Sequence, residues 1–168
     1  LAFKGRVDMR VGIGYDVHRM AGGRDLVLGG VNIPSEKGLL GHSDADVLVH
    51  AIIDAILGAA GEGDIGAHFP DSDHKYRGIS SLILLAKAGG LLKSKSLEVL
   101  NIDAVIIAQE PKLAPYKKDM AANVAETLGI RVDQVNIKAT TTEGLGFTGT
   151  GEGIAAYAVT MVKAAGSL

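Results

Sequence analysis

Residues 43–60 read SDADVLVHAIIDAILGAA, and no other stretch restricts the fold as much. Asp46, His50 and Asp54 recur at i, i+4 and i+8, so on a helix they form one polar column. Val47, Leu48, Ala51, Ile52, Ala55 and Ile56 flank that column. The segment from Ser43 to about Ala60 is therefore expected to be a helix, apolar except for one stripe. Ser43 or Asp44 is expected to cap it, with acids in the first turn and Gly58 and Gly61 near its end. Such a helix needs a core to sit in. A chain of 168 residues, 47% hydrophobic, is enough for one domain with a full core.

The other elements alternate around it. Met9 to Val17 reads as a strand, with Val11, Ile13 and Tyr15 on one face. Leu26 to Ile33 is two short β runs around Gly29-Gly30, a hairpin signal. Gly61 to Gly78, GEGDIGAHFPDSDHKYRG, is a long loop rich in Asp and His, which points to function. Ser80 to about Ser94 is a second helix, weakened by Gly89-Gly90. Val99 to Gln109 is a buried strand, and Pro115 to Leu128 a third helix ended by Gly129. Val135 to Thr141 is a strand, Gly144 to Gly153 a Gly/Thr loop, and Ile154 to Lys163 a final strand. Leu1 to Asp8 reads as an extension outside the fold, with residues 9–168 a single domain. The class is α+β, or α/β in the broad sense: a mixed sheet with helices packed on one face. The other face then needs cover, so the chain is expected to oligomerise.

Composition removes several function classes. The formal charge is −2 with no basic block, which argues against a nucleic-acid partner. No run approaches the roughly 20 apolar residues of a membrane span, and no secretory signal is recognisable at the N-terminus. A reducing, cytosol-like compartment is the default. Cysteine is absent, so a transition metal has only His, Asp and Glu to bind.

Four constellations can carry chemistry. In GIGYDVHRM, Asp16 and His18 stand at i and i+2 of a strand and point to the same side. The pair is a surface ion pair, a hydrogen-bonded polar spot, or two-thirds of a metal site. His50 on the helix completes an Asp/His/His set, and catalytic zinc commonly takes three protein ligands and an open fourth position. Against this stands the simpler view of a solvated stripe with one Asp–His pair. If His50 is a ligand, Asp46 and Asp54 are candidates to orient imidazoles from behind. His42, beside Ser43 at the helix entrance, suits a phosphate, or is a plain loop residue. In GDIGAHFPDSD, Asp64, Asp71 and Asp73 either bind a cation or sugar hydroxyls, or serve turn chemistry; His68 and His74 are expected to face solvent. In NIKATTTEGLGFTGTGEG, threonine hydroxyls and glycine N–H groups can surround an anion, and Glu143 offers one hard oxygen for Mg²⁺ or Mn²⁺. The spacing matches neither a P-loop nor a dinucleotide fingerprint. In AQEPKLAPYK, two prolines stiffen a strand-to-helix loop that either presents backbone groups to a ring or merely connects.

These stretches, together with GGVNIPSEKGLLGHSDADVLVHAIIDAILGAAGEGDIGAHFPDSD, IIAQEPKLAPY and VNIKATTTEGLGFTGTGEGIAAYAV, resemble the 2-C-methyl-D-erythritol 2,4-cyclodiphosphate synthase family from Met9 nearly to the end. The resemblance implies a step of non-mevalonate isoprenoid biosynthesis. A cytidine diphosphate substrate, 4-diphosphocytidyl-2-C-methyl-D-erythritol 2-phosphate, is cyclised with loss of CMP. It implies a homotrimer with sheets facing the threefold axis and active sites between subunits. It implies one Zn²⁺ per subunit on Asp16, His18 and His50, and Mg²⁺ or Mn²⁺ at Glu143. Substrate contacts are implied at His42, Ser43, Asp64, Ile65, Gly66, Phe69, Pro70, Asp71, Ser72 and Asp73. On the nucleotide side they are implied at Ala108, Gln109, Glu110, Pro111, Lys112, Leu113, Ala114, Thr140, Thr141, Thr142, Glu143 and Phe147. His42 and Thr141 match positions of transition-state stabilisation. A bacterial cytoplasm or plastid-type stroma is the implied setting, with no membrane contact. A metal-dependent phosphohydrolase and a non-catalytic trimeric binding protein are the rival readings.

One departure stands out. Thr150 replaces an arginine that many relatives use to hold an isoprenoid diphosphate in the central cavity of the trimer, although Glu152 is kept and Tyr15 occupies an aromatic position beside it. Without the guanidinium, diphosphate capture there is expected to weaken.

Overall fold

A computed structural model describes residues 9–166. The expectation for Leu1 to Asp8 lies outside the described residues. A five-stranded sheet forms the body, built from β1 (Met9–Gly22), β4 (Lys37–Leu39), β5 (Leu97–Ile107), β6 (Val135–Thr140) and β7 (Gly153–Ala164), in the order β4-β1-β7-β5-β6. Among the described strands of this sheet only the β5–β6 pair is parallel. Its crossover is α4 (Lys117–Leu128), the helix that the sequence places between those strands. The mixed sheet of the α+β expectation is therefore present. Among the described residues no helix is long and apolar enough to cross a membrane.

Helix α1 (Val47–Ala60) lies across β1 and β7, with α3 (Ser81–Ser94) packed beside it and α4 beyond. Its side chains Leu48, Ile52, Ile53, Ile56 and Leu57 are fully buried, as an apolar helix requires. Two glycines let it approach the sheet closely. A Cβ on Gly12 would stand 1.9 Å from the Ala55 carbonyl oxygen, so only glycine fits under that turn.

The hairpin of β2 (Leu26–Leu28) and β3 (Val31–Ile33) forms as the Gly29-Gly30 signal suggests. Both glycines have positive φ, 58° and 70°, the geometry that a two-residue hairpin turn demands. The turn also fixes the start of α1. Asp46, fully buried, accepts a hydrogen bond from Gly30 N at 2.7 Å and from Val49 N at 3.1 Å. Asp46 is thus the cap of α1, and Ser43 and Asp44 belong to the loop before it. The expected acidic first turn is absent because the helix starts four residues later than the pattern suggests.

β1 runs on to Gly22 instead of stopping at Val17, because β4 pairs with its last three residues. β4 carries no signal of its own in the sequence. The long loop 61–78 holds a short helix, α2 (Ile65–His68), and a 3₁₀ turn at His74–Tyr76. The Gly/Thr loop holds α5 (Gly146–Gly149).

Helices cover one face of the sheet. On the other, Val11 and Ile13 are 60% and 69% exposed, and Tyr15, Tyr157 and Val159 lie open beside them. Strand registry sets Ile13 against Val159 and Tyr15 against Tyr157, whose rings are 4.6 Å apart. Val17 lies on this open face as well. Towards β6 the face turns polar, where Asp103 accepts from Asn136 and Lys138.

Candidate metal centre

Gly12, Gly14, Asp16 and His18 alternate along one side of β1, the side facing α1. The two glycines admit the helix. The two polar residues follow where the helix brings His50 over the strand. Asp16 Oδ2 lies 3.0 Å from His50 Nδ1, His18 Nε2 lies 3.1 Å from the same nitrogen, and His18 Nε2 is 3.4 Å from Asp16 Oδ2. The edges of a tetrahedron with bonds of about 2.0–2.1 Å measure about 3.3 Å. One carboxylate oxygen and two imidazole nitrogens at this spacing fit a single divalent cation. They are also the one group of three or more potential ligands found among the described residues. Asp16 and His18 converge from mid-strand, not from a strand end.

The electrostatics follow from this crowding. Burial works to raise the Asp16 carboxyl. The hydrogen bond from His50 and the charges of both imidazoles outweigh it and hold the group below the usual carboxylate range. Burial, aided by His50, lowers His18 against the pull of Asp16. Burial works downward on His50 too, but the hydrogen bond and charge of Asp16 carry it above its ordinary value, with Asp46 and Asp44 adding.

The trio opens into a cleft of about 510 Å³ lined also by Leu40, Gly41, His42, Ser43, Ile65, Gly66, Phe69, Pro70, Asp71, Tyr76 and Leu84. His42 sits in a loop, away from the helix N-terminus that the sequence suggests for it, and its Nε2 is buried without a hydrogen-bond partner. Asp64 caps α2 through Ala67 N, and Asp73 accepts from Lys75 N, so both do turn chemistry. His68, expected in solvent, is partly buried and bonds the Glu62 carbonyl at 2.8 Å, whereas His74 is exposed.

Neither carboxylate of the polar column backs the trio. Asp46 is the helix cap, and burial pushes it up to about 6 against its hydrogen bonds from Gly30 and Val49. Asp54 accepts from Ile65 N at 2.7 Å and so ties the start of α2 to α1. The residues behind His50 are Ser43, Ser81 and Asp44. Ser81 lies 31 residues from His50, and nothing in its own sequence surroundings marks it.

None of the residues expected on the nucleotide side lines this cleft. Gln109, Glu110 and Pro111 line another, of about 380 Å³, with Ser35 to Lys37 and Gly149 to Gly151. Glu143 takes a positive φ of 54°, rare for a side-chain-bearing residue, and accepts from Thr141 Oγ1 at 2.9 Å. Gln109 accepts from Gly144 N, which joins the two loops expected on the nucleotide side. Thr150 donates to Glu152 at 2.7 Å.

A mixed sheet carrying three convergent potential ligands at the mouth of a cleft defines an α+β protein with a candidate site for a divalent cation. The chain belongs to the YgbB family, whose model matches residues 9–163. It is 68% identical over 154 residues to the 2-C-methyl-D-erythritol 2,4-cyclodiphosphate synthase of Alkaliphilus metalliredigens, covering 92% of this chain and 97% of that protein. Among solved structures, the bifunctional IspDF from Campylobacter jejuni superposes with a TM-score of 0.91 at 44% identity. The match covers 95% of this chain and 43% of that longer one. The CDP complex of IspF from Plasmodium falciparum gives 0.83 at 34% identity, covering 98% of this chain and 99% of that one.

Proposed function

We propose that the protein is a 2-C-methyl-D-erythritol 2,4-cyclodiphosphate synthase working in the cytoplasm as a homotrimer. The observation that carries this reading is the convergence of Asp16, His18 and His50 in the cleft of a YgbB-family chain. In the reaction, an oxygen of the substrate's 2-phosphate attacks the β-phosphorus of the diphosphate. The bond from the β-phosphorus to the bridging oxygen breaks, and CMP leaves with that oxygen. Nucleophile and electrophile are both anionic, so positioning and charge neutralisation supply the catalysis. Asp16, His18 and His50 would hold Zn²⁺ and Glu143 a Mg²⁺ or Mn²⁺, Lewis acids that draw charge from the phosphate oxygens.

The chain's own residues divide the remaining work. His42 lines the cleft, and its buried, unpartnered Nε2 is the atom that would bond a phosphate oxygen there. Ile65, Gly66 and the 69–73 loop wall in the erythritol. Thr140 to Glu143 and Ala108 to Ala114 would receive the cytidine diphosphate end, with Thr141 at the reacting phosphates and Phe147 nearby. No protein nucleophile is required, which suits a chain without cysteine.

The trimer rests on two observations. The sheet presents an uncovered apolar face. The nucleotide-side loops lie outside the metal cleft of their own chain, so a neighbour's loops are needed to complete a site. The deciding experiment pairs metal analysis with product analysis of the cytidine substrate. CMP together with a cyclic diphosphate supports the synthase; CMP with a ring-opened product would mean hydrolysis, and absence of metal with no turnover a binding protein.

A further inference from the structure

The two ring nitrogens of His50 meet different surroundings. Nδ1 faces Asp16 and His18, while Nε2 lies 2.9 Å from Ser81 Oγ and 3.1 Å from Ser43 Oγ. A neutral imidazole carries its proton on one nitrogen, and the partner of the other decides which. Ser81 Oγ spends its single proton on Asp44 Oδ1, at 2.5 Å. It can then only accept from His50. The direction cannot reverse, because an ionised carboxylate has no proton to give. Asp44 is itself held firmly. Its Oδ2 accepts from Ser81 N at 3.0 Å, its Oδ1 from Asp46 N at 3.3 Å, and its own N–H donates to the Ile79 carbonyl at 3.0 Å. Ser81 is fully buried, so water does not compete for its hydroxyl.

We propose that Asp44 and Ser81 are positioning residues that keep a proton of His50 on Nε2, so that a divalent cation between Asp16 and His18 takes Nδ1 in place of its hydrogen bond to Asp16. The inference rests on the metal reading above and deepens it: the ligand strength of His50 is set by a carboxylate one hydroxyl removed. Neither residue touches the metal position. Ser43 is a second acceptor for the same N–H and receives Ala45 N as well.

The test is a zinc titration of the metal-stripped protein against a chromophoric chelator, together with the ring N–H resonance of His50 in ¹H–¹⁵N spectra. The variants are Asp44→Asn, Ser81→Ala and Ser81→Thr. In Asp44→Asn the new amide donates to Ser81 Oγ, the hydroxyl turns its proton towards His50, and Nε2 becomes an acceptor, leaving the ring's proton on Nδ1 against Asp16. Zinc affinity is expected to fall about 10- to 100-fold in Asp44→Asn and Ser81→Ala, with loss of the slowly exchanging Nε2–H resonance. Ser81→Thr, which keeps the hydroxyl, retains that resonance. Affinities within twofold of the parent, or an unchanged resonance in Asp44→Asn, would overturn the proposal. The resonance reports on the relay in the metal-free protein too. A parent that takes up no zinc therefore defeats the metal reading, while the N–H signal still decides for or against the relay.

Discussion

Gly14 lies so close under Ala51 that a Cβ on the glycine would stand 1.9 Å from the Ala51 carbonyl oxygen and 2.7 Å from Ala55 N. The contact is backbone against backbone, so no side chain can swing aside to make room. It also sets the spacing between β1 and α1 two residues before Asp16. Gly14→Ala is therefore expected to push the helix away from the strand, at a cost of about 3 kcal/mol or more. His50 would be drawn off Asp16 and His18 by the same movement. Urea unfolding and zinc content measured on one preparation check both consequences; a variant of parental stability and full zinc content would show that the helix can shift freely.

His50→Ala tests the centre itself. It removes the one residue whose Nδ1 lies close to both other ligands. Zinc binding and nearly all turnover should disappear together, while circular dichroism stays that of the parent. Full zinc occupancy with normal turnover would take His50 out of the site.

How much of this was legible in the sequence depends on the distance over which each interaction acts. The same-side geometry of Asp16 and His18 follows from strand period alone, and the burial of α1 from its composition. The Gly29-Gly30 turn was readable because its φ requirement is local. Asp46 was misjudged because its partner is Gly30, on a hairpin 16 residues away. Helical spacing puts it in a column with His50, yet its side chain points to the hairpin as a cap. Ser81 was missed for the same reason: its bond to Asp44 spans 37 residues, and one serine at a helix start looks like any other. The continuation of β1 to Gly22 depends on pairing with β4, which is only three residues long.

Asp46 leads to a pH prediction. Its carboxyl stands at about 6 in the folded chain against 3.8 for the ordinary group. The folded state binds the proton more tightly, so this residue's contribution is fully present below about 4 and is lost as pH rises to about 6. The loss is at most about 3 kcal/mol, at roughly 1.4 kcal/mol per pH unit. Asp46→Asn loses one of the two N–H bonds but carries no ionisation. The parent's advantage over the variant should therefore narrow between pH 4 and pH 7. Urea unfolding of chelator-treated protein at fixed chain concentration measures it, and a gap that widens with pH would contradict the assignment.

Asp54 should act on substrate binding without acting on the metal. It holds Ile65 N, the first N–H of α2, and α2 contributes Ile65 and Gly66 to the cleft. A hydrogen bond to a charged group contributes about 1.5–3 kcal/mol. In Asp54→Ala the loop is released, and KM is expected to rise about tenfold with zinc content unchanged. Loss of zinc in this variant would mean that Asp54 supports the ligands after all.

The open sheet face and the divided site make one joint prediction. Val11, Ile13, Tyr15, Tyr157 and Val159 form an exposed apolar surface on the side of the sheet away from the helices. Ile13→Lys puts a charge in its middle and should give monomers in sedimentation at micromolar concentration. Asp16, His18 and His50 all belong to one chain, so such monomers should still bind zinc, yet they should not turn over if a neighbour supplies Glu143. Mixed trimers sharpen the point. His50→Ala chains lack the zinc half of the site, and Glu143→Ala chains lack the other half. Each is expected to be inactive alone. When the two are unfolded together and refolded, an interface that joins the intact half of each is restored. Random assortment makes that about a quarter of all interfaces, so activity should return to roughly a quarter of the parental value. A mixture as inactive as its components would place Glu143 and His50 in the same subunit's site.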